Sequence, residues 1–230
     1  MTESTRVLPT WLLSLSCAAL TLGACDHEPP EPAHPPGLVL VVDGIEIFES
    51  DLEPLLAYAQ SVDKRTGRMT VIGGILDHHV LPTKLAQRAF QKERAQQLEL
   101  AEGLASAIGN GSYLDLTNKA KHVSSLSESA VLRHEIPLTL AAWAFEPENV
   151  ARVSPILESP QGYSLVSTYH LQPGVTRVTD RADICQVSFY THGPDDFGAW
   201  LVETKRTVAD KVTFVNPEYR RAIPPWLEIP

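Results

Sequence analysis

Five prolines in twelve residues, DHEPPEPAHPPG (26–37), set the first limit on what this chain folds into. Proline lacks a backbone N–H and fixes φ, so the stretch favours an extended, semi-rigid spacer with no core of its own. Folding is left to the 193 residues after Gly37 (230 − 37). That length suffices for one good core or two small ones.

The segment before the spacer is of a different kind. Arg6 precedes an apolar run from Val7 to Leu22 that contains Pro9, and Gly23 and Ala24 follow. The run is short for a membrane span and right for the apolar region of a signal peptide. Leu22-Gly23-Ala24-Cys25 resembles the bacterial lipobox, in which the cysteine is acylated and becomes the first mature residue. The resemblance implies a signal peptide over 1–24, lipidation with palmitate-type chains at Cys25, and a linker over 25–37. It also implies a bacterial envelope location, with the body facing the periplasm. A single acyl chain holds a protein only marginally and several hold it stably, so the membrane partner is reached through the anchor. No later segment is apolar enough to span a bilayer.

Cysteine usage fits that compartment. Cys17 lies in the signal and Cys25 at the anchor, so only Cys185 remains, and neither an internal disulfide nor a cysteine zinc site is available. Cys185 sits in an apolar run and reads as a buried structural thiol. The net charge of −9 argues against a nucleic-acid partner, which would need a basic stripe.

Val39–Val42 and Ile45–Phe48 flank Asp43-Gly44, a hairpin signal. Ser50-Asp-Leu-Glu53 reads as a capping box that opens a helix to about Ser61. Thr83, after Pro82, reads as the cap of a long helix to about Ile108, stopped by Gly109-Asn110-Gly111. The polar middle of that helix, Gln91–Gln97, is expected to be exposed on most faces. Ser112 starts a short helix with Tyr113, Leu116 and Ala120 inward, and 119–128 reads as a loop. Pro137 suits the first turn of a helix over Leu138–Phe145. Strands are expected at 152–158, 163–169, 183–190 and 212–215, with a helix from about Asp195. Trp226, among prolines near the end of the chain, reads as either a core plug or a contact with a partner, the plug being the commoner role. The fold class is α+β: a helical N-terminal region, then a small antiparallel sheet with helices packed on it.

Three motifs suggest chemistry and fall short of it. Gly162-Tyr-Ser164-Leu-Val166 lacks the second glycine of a G-x-S-x-G nucleophile elbow, and Val166 continues a strand. In Asp77-His78-His79 adjacent helical positions point about 100° apart, so the pair is not spaced to hold one metal ion. His122, His134, His170 and His192 show no ligand spacing, and no metal or cofactor is implied. Asn110-Gly-Ser112 reads as turn chemistry, and Asp195-Asp196 as charge at a helix N-terminus.

Two regions carry a family resemblance. VVDGIEIFESDLEPLLAYAQ (41–60) resembles the start of SurA-like periplasmic foldases. NGSYLDLTNKA (110–120) and IPLTLAAWAFEPENVARVSPILESPQGYSLVSTYHL (136–171) resemble pieces of a parvulin (PpiC) peptidyl-prolyl isomerase domain. The resemblance implies a helical SurA-like region over 38–110 and a parvulin-like domain with a C-terminal extension over 111–230. It implies a substrate pocket at Ile136, Leu140 and Phe145, where the family has apolar side chains. Ser164 stands where the family has its second histidine. Serine has no nitrogen that titrates near neutral pH and a shorter reach, so no catalytic residue is assigned. The family's first strand and its Gly-Gly-x-Leu-Gly segment have no counterpart, and ADICQVSFY (182–190) has the apolar character to complete the sheet instead.

The implied partner is unfolded or proline-containing polypeptide, bound by a lipid-anchored foldase or chaperone whose catalysis is weak or lost. The alternatives are an active isomerase that recruits His170 or Cys185, and a non-catalytic scaffold lipoprotein. Fold alone does not choose among them.

Overall fold

The computed structural model describes residues 34–119, 125–192 and 194–229. The signal segment, Cys25, most of the linker, Ala120 and His122 lie outside them.

Leu38–Val42 (β1) and Ile45–Phe48 (β2) pair antiparallel through Asp43 and Gly44, which hold φ at 50° and 76°. Two positive φ values give the turn whose twist matches the strands, and Asp-Gly accepts them at low cost. Glu49–Val62 (α1) follows directly. Its cap is not the expected Ser50–Glu53 box: the Asp51 carboxylate accepts the Phe48 N–H at 2.8 Å, because the helix begins two residues earlier.

Arg68–Ile75 (α2), a π-turn over Leu76–Val80 and Leu81–Ala89 (α3) then run on without a cap between them. Thr83 therefore lies inside a helix and not at its start. Ile72, Ile75, Leu76, Val80 and Leu81 all face one core and carry the helix through. The break comes at Phe90 (φ −122°, ψ 35°), and Gln91–Ile108 (α4) begins after it. Tyr113–Lys119 (α5) is capped from within, since Asp115 accepts both the Ser112 N–H (2.7 Å) and its hydroxyl (2.9 Å).

The expected loop at 119–128 is in part a strand: Ser125–Leu132 (β3) pairs with the segment 181–190. It is an edge strand, and edge strands need no continuous apolar pattern. Leu138–Ala144 (α6) follows Pro137 as expected. The strand expected at 152–158 shrinks to Leu157–Ser159 (β4), with isolated bridges at Val150 and Val153. Gly162–Gln172 (β5), Arg181–Tyr190 (β6), Pro194–Val208 (α7) and Val212–Val215 (β7) complete the chain.

The class is α+β, with two antiparallel sheets ordered β2-β1-β7 and β3-β6-β5-β4. ADICQVSFY forms β6, between β3 and β5 in the larger sheet. Alternation along β6 separates two cores. Ala182 and Ile184 face α6 with Leu140, Phe145 and Val166, whereas Cys185, Val187 and Phe189 face α4 and α5 with Ala101, Leu116 and Leu165. A third core packs β1, α1, α2 and α3 against Val208, Tyr219, Ile223 and Leu227. Residues 212–227 thus complete the N-terminal core, although the expected boundary at 110 grouped them with the second half. Trp226 is half-buried there, as a plug: its Nε1 donates to Asp77 at 2.7 Å and Lys205 lies over its ring. Among the described residues no helix is long and apolar enough to cross a membrane.

Candidate functional site

Of the four positions singled out from the parvulin resemblance, Ile136, Leu140 and Phe145 share one closed core, and Ser164 lies on β5 two residues from Val166 of that core, on the same face of the sheet. Leu140 and Phe145 have no exposed surface and Ser164 is 4 % exposed. Ile136 is half-buried against the same cluster. The Ser164 hydroxyl lies 3.0 Å from that of Ser188, which also accepts from Gln186 at 2.7 Å. Two hydroxyls and an amide satisfy one another there and leave no base to activate a nucleophile. His170 is exposed, 3.7 Å from Asp183, and Cys185 points to the opposite face of the sheet, so neither joins Ser164. The Phe145 ring is covered by the Arg133 guanidinium at 4.4 Å. Arg133 in turn donates to Asp180 (2.6 Å) and to the Tyr58 hydroxyl (2.7 Å), which ties α1 to the larger sheet.

A 260 Å³ space bounded by Tyr58, Ala59, Val62, Leu138 and Ala141 opens beside this core, but none of the four positions lines it. Further open space lies along the helical stretch from α2 to α4. Pro82 has no N–H to give the His78 carbonyl, and its ring would collide with that carbonyl in a regular helix. The ladder slips by one residue, and Leu81 N–H reaches Leu76. Such π-turns recur at functional sites. Here the turn places His78 and His79 on the rim of a 330 Å³ cavity. Its other walls are Pro82, Pro137, Leu138 and Pro160, with Phe197 and Leu201 of α7 behind them.

The far wall is the β4–β5 hairpin, held in place by two devices. Gly162, at φ 147°, lies so close to Phe189 that a Cβ would sit 2.1 Å from its carbonyl oxygen. Arg94, reaching across from α4, donates to the carbonyls of Pro160 (3.0 Å) and Ser159 (3.1 Å) and to Glu158 (2.6 Å). Its guanidinium lies over Tyr163. The expected exposure of Gln91–Gln97 fails at this residue, which is 2 % exposed.

The groove continues past this cavity. His79 also lines a 190 Å³ polar cleft with Thr83, Lys84 and Glu158. Lys84, Gln87 and Glu158 pass from that cleft into a shallower 570 Å³ space bounded by Arg88, Gln91 and Tyr163. One face of the helical stretch therefore forms one side and residues 158–163 the other. Burial holds the His79 imidazole below its ordinary pKa, while the charge of Glu158 pulls the other way. Burial would raise the Asp77 carboxyl, but hydrogen bonds from Lys205 and Trp226 outweigh it and hold it low.

The groove can take up apolar side chains at one end and hydrogen-bond at the other. Thr83, whose buried hydroxyl has no hydrogen-bond partner, shares the polar cleft with His79 and Glu158, but no hydrogen bond joins that hydroxyl to the imidazole. Among the described residues no three His, Cys, Asp or Glu side chains are grouped to hold a metal ion. Sequence reasoning weighed His78, His79 and Pro82 only as a metal motif and a helix start, and missed Arg94 altogether. The legible signal was Pro82 inside an apolar helical run. No family model, curated protein or solved structure matches this chain.

Proposed function

We propose that the protein is a parvulin-like, lipid-anchored chaperone of the bacterial envelope that binds unfolded or proline-containing polypeptide without isomerase turnover. The observation that carries this reading is the 330 Å³ cavity of the groove, walled by three prolines, Leu138, Phe197 and Leu201. A space of that size takes one or two side chains of an extended chain. Burying one aliphatic side chain contributes about 2 kcal/mol, so binding is weak and exchanges quickly. That suits transient capture of many clients. Loss of turnover is supported by the closed core around Leu140 and Phe145 and by the buried Ser164 beside it. The anchor rests on Cys25 and on the spacer that would hold the body off the bilayer.

The test is fluorescence anisotropy of a labelled, permanently unfolded polypeptide titrated with the full chain, alongside a prolyl-isomerisation assay. Saturable binding that Leu201→Glu weakens at least tenfold, with no isomerisation above background, is the expected result. Turnover, or the absence of any binding, refutes the reading.

A further inference from the structure

The two ends of the groove differ in charge as well as in polarity. The 570 Å³ end is lined by three cations, Lys84, Arg88 and Arg94, and by one carboxylate, Glu158. Asp43 and Asp51, which pair with Arg88 and Lys84, are not among its lining residues. Lys211 adds a fourth cation next to Asp43, at 3.5 Å. Lys84, Arg88 and Arg94 are each matched by one carboxylate, Asp51, Asp43 and Glu158, so the corner's surplus of +1, in a chain whose net charge is −9, is that of Lys211, which shares Asp43 just outside the lining. Arg88 and Lys211 keep nearly half of their side-chain surface in water, and Lys84 keeps about a quarter. They hold donors free for an incoming acceptor, since an ammonium carries three N–H groups and a guanidinium five. Gln87, shared by the polar cleft and this end, and Gln91, in this end, can both donate to and accept from a peptide backbone.

Spacing follows from helix geometry. Pro82 at the apolar end and Arg88 at the basic end are six residues apart on α3, about 9 Å of helix rise. An extended peptide covers that distance in about three residues.

We propose that the groove selects polypeptide segments in which an acidic side chain stands about three residues from an apolar or proline anchor. The apolar residue enters the cavity at Leu138, and the carboxylate meets Arg88 and Lys84. This rests on the polypeptide-binding reading above and adds the sequence class of its client. Net negative charge over the rest of the molecule repels acidic chains, so the basic corner also fixes the direction in which a bound segment lies.

The test is calorimetric titration of the full chain with three acetylated and amidated decapeptides. All share one Leu-Pro anchor and carry two Glu, two Gln or two Lys residues centred three positions away. Blocked ends remove the terminal charges as a second source of carboxylate or ammonium. The Glu peptide is expected to bind about fivefold tighter than the Gln peptide at low salt, as one partly exposed charge pair provides. The Lys peptide is expected to bind more weakly than either. The Glu preference should shrink below about twofold at 0.5 M salt through screening, and Arg88→Glu should abolish it. Because Arg88→Glu also breaks the pair with Asp43, the salt series on the unaltered protein decides if that variant unfolds. Equal binding of all three peptides overturns the charge inference alone. No binding by any of them overturns it together with the polypeptide-binding reading.

Discussion

Replacing Arg94 with alanine removes the residue that builds one wall of the groove, and the loss can be worked out from its partners. The side chain is 3 % exposed and makes three charge-assisted hydrogen bonds. Glu158 is 38 % exposed and regains water when the pair breaks, so that bond contributes less than about 1 kcal/mol. The Ser159 and Pro160 carbonyls are held at the turn, one of them in a buried bond, and each contributes about 1 kcal/mol. Lost burial of the stem, together with the guanidinium's contact over Tyr163, adds about 1 kcal/mol. Against this, the buried Arg94 Nε has no partner, and removing it relieves a desolvation cost. The net is a loss of about 2–3 kcal/mol. With a urea dependence near 2 kcal/mol per M, the unfolding midpoint falls by about 1–1.5 M. Arg94→Met keeps the stem and drops the orphan nitrogen, so it should lose about 1 kcal/mol less. The assay is urea unfolding of the full chain, with amide exchange across Gln161–Tyr163 as the local readout. A loss below about 0.5 kcal/mol in Arg94→Ala, with hairpin protection unchanged, would show that β5 and β6 hold the hairpin alone.

Four further outcomes are expected, three from the same geometry and one from the proposed lipid anchor. Gly162→Ala forces a Cβ against the Phe189 carbonyl at a φ that only glycine adopts freely, and should lose about 2–3 kcal/mol in thermal or urea unfolding. His79 is held below its ordinary pKa by burial, so the unfolded chain binds the extra proton first. Its contribution is full above about pH 6.5 and is lost as pH falls from there towards the lower folded value, and His79→Gln should flatten that part of a stability–pH curve. Burial would raise Asp180, but the hydrogen bonds from Arg133 and Gly174 outweigh it, so its contribution is present above the usual carboxylate pKa and lost as pH falls below it. Asp180→Asn leaves the Arg133 charge unpaired at 6 % exposure and should lose about 3 kcal/mol or more near neutral pH, read by urea unfolding. Cys25→Ser should release the protein from envelope membranes and remove incorporation of a labelled fatty acid, read by fractionation of the expressing bacteria.

Much of the fold was legible because local chemistry specified it. Asp43-Gly44 can hardly be anything but a hairpin turn between Val42 and Ile45. Pro137 opens α6, and alternating Ala182, Ile184, Val187 and Phe189 require a sheet covered on both faces. What failed to show depends on partners distant in the chain. β3 is a polar edge strand defined by its register with β6, and nothing near Ser125 announces that pairing. Arg94 looks like any exposed cation in Gln91–Gln97 until a hairpin more than sixty residues away brings its carbonyls. The joining of α2 to α3 was hidden by reading Thr83 as a cap, when the apolar face from Ile72 to Leu81 already favoured one continuous helix. The site was legible only as components. His78, His79, Pro82 and Pro160 each stood out or could have, but their grouping around one cavity depends on the π-turn and on the position of α7.

Amide chemical-shift mapping of the full chain with an unfolded, proline-containing polypeptide bears on the central claim most directly, with X-Pro exchange measured in the same sample. The account predicts shifts confined to the groove, at the non-proline residues of 74–95, 138, 158–163 and 197–201, with cis–trans exchange no faster than in the free polypeptide. Accelerated exchange with shifts around Leu140, Phe145 and Ser164 would contradict it, since the closed core would then have to open onto a working isomerase pocket.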